Sequence, residues 1–136
     1  VNAIARGLGA AAYVVRYRVG LERQMRTESL AAILGEIEAS AAPTARSAGT
    51  PDRVLLFALR AGESLVGRAR VVPNTCLFRA LGRYAFFRRH GHEAVFVLGL
   101  RSDDEGGEGH AWIELDGVPF RESIAPELVV TLRHPR

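Results

Sequence analysis

Lysine is missing from this 136-residue chain, so all 18 of its strongly basic side chains are arginine. They are scattered, densest at Arg88-Arg89, and read as a compositional bias of the genome rather than a selected chemistry. With no recognition motif among them, no nucleic-acid partner is expected. The net charge of +3 and pI near 9.7 permit only weak attraction to acidic partners. Cysteine is almost absent as well. The single Cys76 excludes an intrachain disulfide framework and any Cys-pair zinc site, which makes a reducing cytoplasm the expected location. Long apolar runs are lacking too. Ala10-Ala11-Ala12-Tyr13-Val14-Val15 falls short of the roughly 20 residues that span a bilayer. Arg16 and Arg18 follow it without a small-residue cleavage site, so it reads as part of an amphipathic helix, and no membrane partner is expected. The sequence starts at Val1 rather than Met, which leaves room for residues upstream.

What is present suits one globular domain over residues 1–136: 48% hydrophobic residues with 24% charged ones can bury a core. Residues 1–65 read as short helices. The spacing of Leu30, Ile33, Leu34 and Ile37 predicts a helix capped at Thr27, and residues 40–51, rich in Ala, Ser, Pro and Thr, read as a connector. Asp52 caps a further helix expected to end near Gly62, and a short segment from Glu63 to Val72 leads to Pro73.

The informative half follows. Asn74 or Thr75 can cap a helix from Cys76 to about His90, ended by Gly91, with Leu77, Ala80, Leu81, Tyr84 and Phe87 as its buried stripe. Ala94 to Leu100 is rich in β-formers and predicts a buried strand; the acidic, glycine-rich residues 102–109 read as a loop running into His110. Gly109–Glu114 and Val118–Ser123 then form a hairpin around Asp116-Gly117. A three-residue loop there pairs Glu114 with Val118, Trp112 with Phe120 and His110 with Glu122, whereas a two-residue turn changes the parity and sets His110 opposite Ser123. Gly117 is compatible with both.

A thiol at a helix start with an imidazole from a later strand is how papain-like and transglutaminase-like folds assemble a cysteine nucleophile and its base. A helix N-terminus and a neighbouring imidazolium favour thiolate at neutral pH. Backbone N–H groups at the helix start, with the Asn74 side chain as a further donor, suit an oxyanion.

Three segments, Cys76-Leu77-x-Arg79-Ala80-Leu81, Arg88-Arg89-His90-Gly91-His92 and His110-Ala111-Trp112-Ile113-Glu114, together resemble the lasso peptide leader peptidases over about residues 68–124. That family belongs to the transglutaminase-like cysteine peptidases. The resemblance implies an α+β fold: a helical N-terminal half, then a catalytic core (66–136) with a central Cys-bearing helix packed on a small antiparallel sheet. It implies a cytoplasmic cysteine peptidase that removes the leader of a lasso precursor peptide before a separate cyclase closes the ring. It further implies Cys76 as nucleophile, His110 as base and a third residue that is usually aspartate. By spacing that position is Glu122, a departure that lengthens the side chain; Asp116 is the alternative, although beside Gly117 it reads as a turn residue.

Other readings compete. The same fold suits an acyltransferase that passes the acyl group to an amine, or a peptide-binding module without turnover. His90 and His92 flank the helix-ending Gly91 and read as structural, and a metal site with His110 has no diagnostic spacing, so no metal or cofactor is expected. Trp112 reads as core packing or the wall of a substrate cleft. Asp103, Asp104, Glu105 and Glu108 read as a solvated loop placed to gate it. With no alternating strand in residues 1–65 to offer a β-edge to a leader, recognition is expected to fall to a separate protein.

Overall fold

The computed structural model describes residues 2–43, 50–70, 72–101 and 109–135. Half of the 40–51 connector, residues 44–49, and the acidic loop 102–108 lie outside them. Three helices come first. α1 (Ala3–Thr27) is capped by Asn2, whose Oδ1 accepts from the Ala5 N–H at 2.8 Å. Its buried stripe is Ala10, Val14, Arg18 and Leu21, the three- and four-residue spacing of one helix face with an arginine in it. α2 (Leu30–Ala39) is capped by Ser29, not Thr27. Thr27 belongs to the last turn of α1 and its hydroxyl bonds back to Gln24 O at 3.3 Å, while Ser29 has the extended backbone a cap requires.

α3 (Arg53–Ala69) begins at the expected Asp52 cap but does not stop at Gly62. Gly62 is where α1 and α3 touch: a Cβ there would stand 2.7 Å from Val14 Cβ and 3.0 Å from Ala11 O. The glycine serves close helix approach instead of ending the helix. Gly62→Ala should therefore lower the urea midpoint. Its gain of roughly 1 kcal/mol in helix propensity is outweighed by an overlap costing about 1–3 kcal/mol against a fully enclosed Val14. A raised midpoint would show that α1 yields freely.

α4 (Cys76–Arg89) is centred in the molecule, with Ala80, Leu81, Tyr84, Ala85, Phe86 and Phe87 all buried. His90 is its C-cap, and Gly91, at φ 82°, turns the chain out of the helix. Glu38 joins α2 to α4 by accepting from Tyr84 Oη at 3.1 Å and Arg88 Nε at 2.7 Å. Burial, followed by the Glu38 charge, raises the Tyr84 pKa, so the phenol stays a donor.

β1 (Ala94–Arg101), β2 (Gly109–Leu115), β3 (Val118–Pro119) and β4 (Leu128–His134) form one antiparallel sheet in the order β3-β2-β1-β4. β4 is an addition to the sequence reading; its run Leu128-Val129-Val130-Thr131-Leu132 is β-branched and pairs with β1. Alternation splits the sheet into two faces. Ala94, Phe96, Leu98, Ala111, Ile113 and Leu115 share the main core with α4, where Tyr84 meets the edges of Phe96 at 6.4 Å and His134 at 6.0 Å. His110, Trp112 and Glu114 stand on the other face, with Glu114 held by both terminal nitrogens of Arg133 at 2.7 and 3.3 Å. The result is the expected α+β architecture, helices first and then a Cys-bearing helix packed on a small sheet.

Candidate active site

Thr75, not Asn74, caps α4: its Oγ1 accepts from the Phe78 N–H at 3.3 Å, and Arg79 N donates to Thr75 O at 2.9 Å. Among the described residues the N–H groups of Cys76 and Leu77 take no partner, so the helix start offers two open donors beside the thiol. Cys76 is half-buried and free, and packs against the core on the α4 side.

Asn74 has a different task. Its Oδ1 accepts from Arg18 Nη2 at 2.9 Å, and the same nitrogen reaches Pro73 O at 3.0 Å. Arg18 is 1% exposed, and its stem lies on Gly82, where a Cβ would come within 2.8 Å of Arg18 Cδ. A guanidinium from α1 thus fixes the segment that delivers Cys76, and a glycine of α4 makes room for it. Sequence reasoning missed this residue because its partners lie far off in the chain.

The hairpin closes with the two-residue turn. Asp116 (φ 52°) and Gly117 (φ 76°) are both left-handed, and Leu115 pairs with Val118 and Glu114 with Pro119. Of the two registers the sequence allows, the three-residue loop, with Glu114 opposite Val118 and Trp112 opposite Phe120, is not the one formed. Continued regularly, the observed register would set His110 opposite Ser123. The strand ends first: β3 stops at Pro119, Phe120 N makes one more bond to Ile113 O at 2.9 Å, and Arg121 turns left-handed at φ 52°. That single residue breaks the side-chain alternation and brings Glu122 to the imidazole, with His110 Nε2 and Glu122 Oε1 2.8 Å apart. Asp116 is exposed in the turn.

His110 is further held by Trp112, whose ring stacks on the imidazole at 5.7 Å between centroids and is 3% exposed. Trp112 lies across Gly99, where a Cβ would be 3.2 Å from its ring. His110 also lines a cavity of about 290 Å³ with Gly109, Ser123 and Leu128. With Nε2–H donated to the Glu122 carboxylate, Nδ1 is left as the lone-pair nitrogen, the tautomer a base requires.

Glu122 carries a second contact that the sequence reading did not anticipate. Its Oε2 is 3.5 Å from Arg83 Nη1, and Arg83 also grips Glu63 of α3 through Nε at 2.7 Å and Nη2 at 3.2 Å. Arg83 stacks over Phe120 at 5.4 Å, and Phe120 packs on Phe87 at 5.1 Å. Arg83 lies about two helical turns beyond Cys76 on the same face of α4, a spacing that offered the one sequence signal for it. The series Glu63, Arg83, Glu122, His110 therefore ties α3 and α4 to the open edge of β2.

Among the described residues no hydrogen bond joins the Cys76 thiol to His110. A separate polar cavity of about 420 Å³ lies at the start of α4, lined by Asn74 and Arg79 and by Arg121 next to Glu122; neither Cys76 nor His110 is among its lining residues. His90 and His92 stay apart from this region: His90 Nδ1 is 2.8 Å from Phe86 O, and His92 meets the edge of Phe87 at 6.1 Å. Burial, then His90, lowers the His92 pKa, which suits a neutral structural ring. No cluster of three metal-ligating side chains occurs among the described residues.

One α+β domain thus carries a half-buried cysteine at a capped helix start, an antiparallel sheet packed on that helix and a carboxylate-held histidine on the second strand. The sequence profile of the transglutaminase-like superfamily matches residues 15–133, and the chain belongs to that superfamily, whose members are typically cysteine-based enzymes. No match was found among curated proteins or solved structures. No described helix is long and apolar enough to cross a membrane.

Proposed function

We propose that this chain is a cysteine peptidase that removes the leader from a lasso peptide precursor, with Cys76 as nucleophile, His110 as general base and acid, and Glu122 as the residue that orients the imidazole. The observation that carries this reading is the His110–Glu122 contact at 2.8 Å, which leaves Nδ1 free as the base. In the reacting complex Nδ1 must come within hydrogen-bond reach of the thiol and take its proton. The Cys76 thiolate then attacks the peptide carbonyl, and the N–H groups of Cys76 and Leu77 face the developing oxyanion. His110 passes the proton to the leaving amine, and water attacks the resulting thioester with His110 again as base.

The precursor is held by a separate leader-recognition protein, and the cyclase acts on the freed core peptide. In support, the first described strand begins only at Ala94, so none of the described residues before it offers a β-edge to a leader. Tethering by a partner would raise the local concentration of the scissile bond and allow the cleft a weak affinity of its own.

Mass spectrometry of the precursor incubated with this chain, alone and with its recognition protein, tests the reading. The expected result is a single cut that frees the leader, accelerated at least roughly tenfold by the partner and abolished by iodoacetamide. Transfer of the acyl group to an added amine in place of hydrolysis would favour an acyltransferase. An uncut precursor with Cys76 inert to iodoacetamide would favour a binding module.

A further inference from the structure

The polar cavity at the start of α4 has a charge imbalance that the cysteine chemistry does not use. Arg60 of α3, Arg79 of α4 and Arg121 line it together with Glu63, Ser64 and Asn74. The one carboxylate, Glu63, has both oxygens engaged by Arg83. Arg79 spends one nitrogen on Asn74 O at 2.8 Å, and Arg121 lies over the Phe120 ring at 4.9 Å. Among the described residues none of the three is paired with a carboxylate, and Arg60 has no hydrogen-bond or ion-pair partner.

Arg60 and Arg121 are exposed, so solvent screens much of the repulsion among the three guanidinium groups, and an anion between them would offset the rest. The Arg121 pKa is lowered first by partial burial, with Glu63 opposing and Arg83 and Arg60 adding to the fall. Arg121 also holds a left-handed backbone conformation that disfavours a bulky side chain, and it is the residue that turns Glu122 toward His110. The cavity thus borders both the segment bearing Cys76 and the residue beside Glu122.

We propose that the cavity formed by Arg60, Arg79 and Arg121 is a carboxylate-binding subsite that takes an acidic side chain of the peptide substrate. Planar guanidinium groups match a carboxylate in two-point fashion, and Ser64 and Asn74 add neutral hydrogen-bonding groups at the rim. The role as a substrate subsite rests on the peptidase reading; the affinity for carboxylate does not.

The probe is acetyl-Glu-Glu-Glu-amide, with acetyl-Gln-Gln-Gln-amide as its neutral counterpart. Nitrogen-15 NMR of the arginine Nε–H groups should show saturable shifts at Arg60, Arg79 and Arg121 with the acidic peptide alone, and none at the exposed Arg16 and Arg23. An Arg60→Gln/Arg121→Gln variant with unchanged circular dichroism should bind it roughly tenfold more weakly, the loss expected for a charge-assisted contact. The acidic peptide should also inhibit precursor cleavage competitively. Shifts spread equally over all arginines, equal binding of the neutral peptide, or binding without competition would each overturn the proposal. Because the NMR arm needs no turnover, failure of the subsite leaves the thiol chemistry standing, and an inert Cys76 would fail the peptidase reading while leaving carboxylate binding intact.

Discussion

Cys76→Ala and His110→Ala are each expected to abolish leader cleavage, with a fall of on the order of 10³-fold or more and no loss of fold. The first removes the only sulfur nucleophile in the chain and leaves a helix start still capped by Thr75. Alanine suits the first helical turn, and the half-buried site loses one small apolar contact, so circular dichroism and the thermal midpoint should change little. The second removes the base while Glu122 keeps its contact with Arg83. The double variant should be no worse than either single one, because thiol and imidazole act as a unit. Mass-spectrometric product formation measured beside circular dichroism checks this. A folded Cys76→Ala protein that still cuts the precursor would refute the mechanism.

Glu122→Gln should lower kcat by about 10²-fold or more, whereas Asp116→Asn should stay near wild type. The amide can still accept from Nε2–H, but it carries no charge to support the imidazolium formed when Cys76 gives up its proton, and it weakens the tie to Arg83. Asparagine at 116 tolerates the left-handed backbone at least as well as aspartate and keeps the Asx-Gly turn, so the register of β2 and β3 is preserved. Paired kcat measurements with a thermal midpoint for each variant separate the two. A crippled Asp116→Asn with a mild Glu122→Gln would show that the turn carboxylate, not the residue after Arg121, serves His110.

The local signals were readable wherever the deciding physics was local. Cys76 at a helix start, the Asp52 cap, the strand from Ala94 and the turn at Asp116-Gly117 follow from nearest neighbours in the chain. Misreadings came where a distant partner decided. Gly62 reads as a helix end in isolation, yet α3 continues through it because Val14 of α1 occupies the space a side chain would need. Thr27 and Ser29 are both good caps by type, and only the length of α1 assigns the cap to Ser29.

The third site residue shows the division most clearly. Spacing pointed to Glu122, while the hairpin allowed two registers, and the one adopted would by itself set His110 opposite Ser123. The two-residue turn fixes one parity, and Arg121, by leaving the extended region, reverses it before Glu122. Neither Arg83 between Glu63 and Glu122 nor Arg18 beneath the segment before Cys76 could be paired from sequence, because each contact spans separate elements.

The sequence by itself determined the class of fold, the helix that presents the thiol and the strand that presents the imidazole. Helical and strand periodicity, caps and turn residues act within a few neighbours and are written in order along the chain. Only the tertiary structure decided which carboxylate meets His110, what anchors the segment before Cys76 and which arginines share a cavity. Those outcomes depend on where a strand ends and on how closely two helices approach, and both are set by packing between residues far apart in the chain.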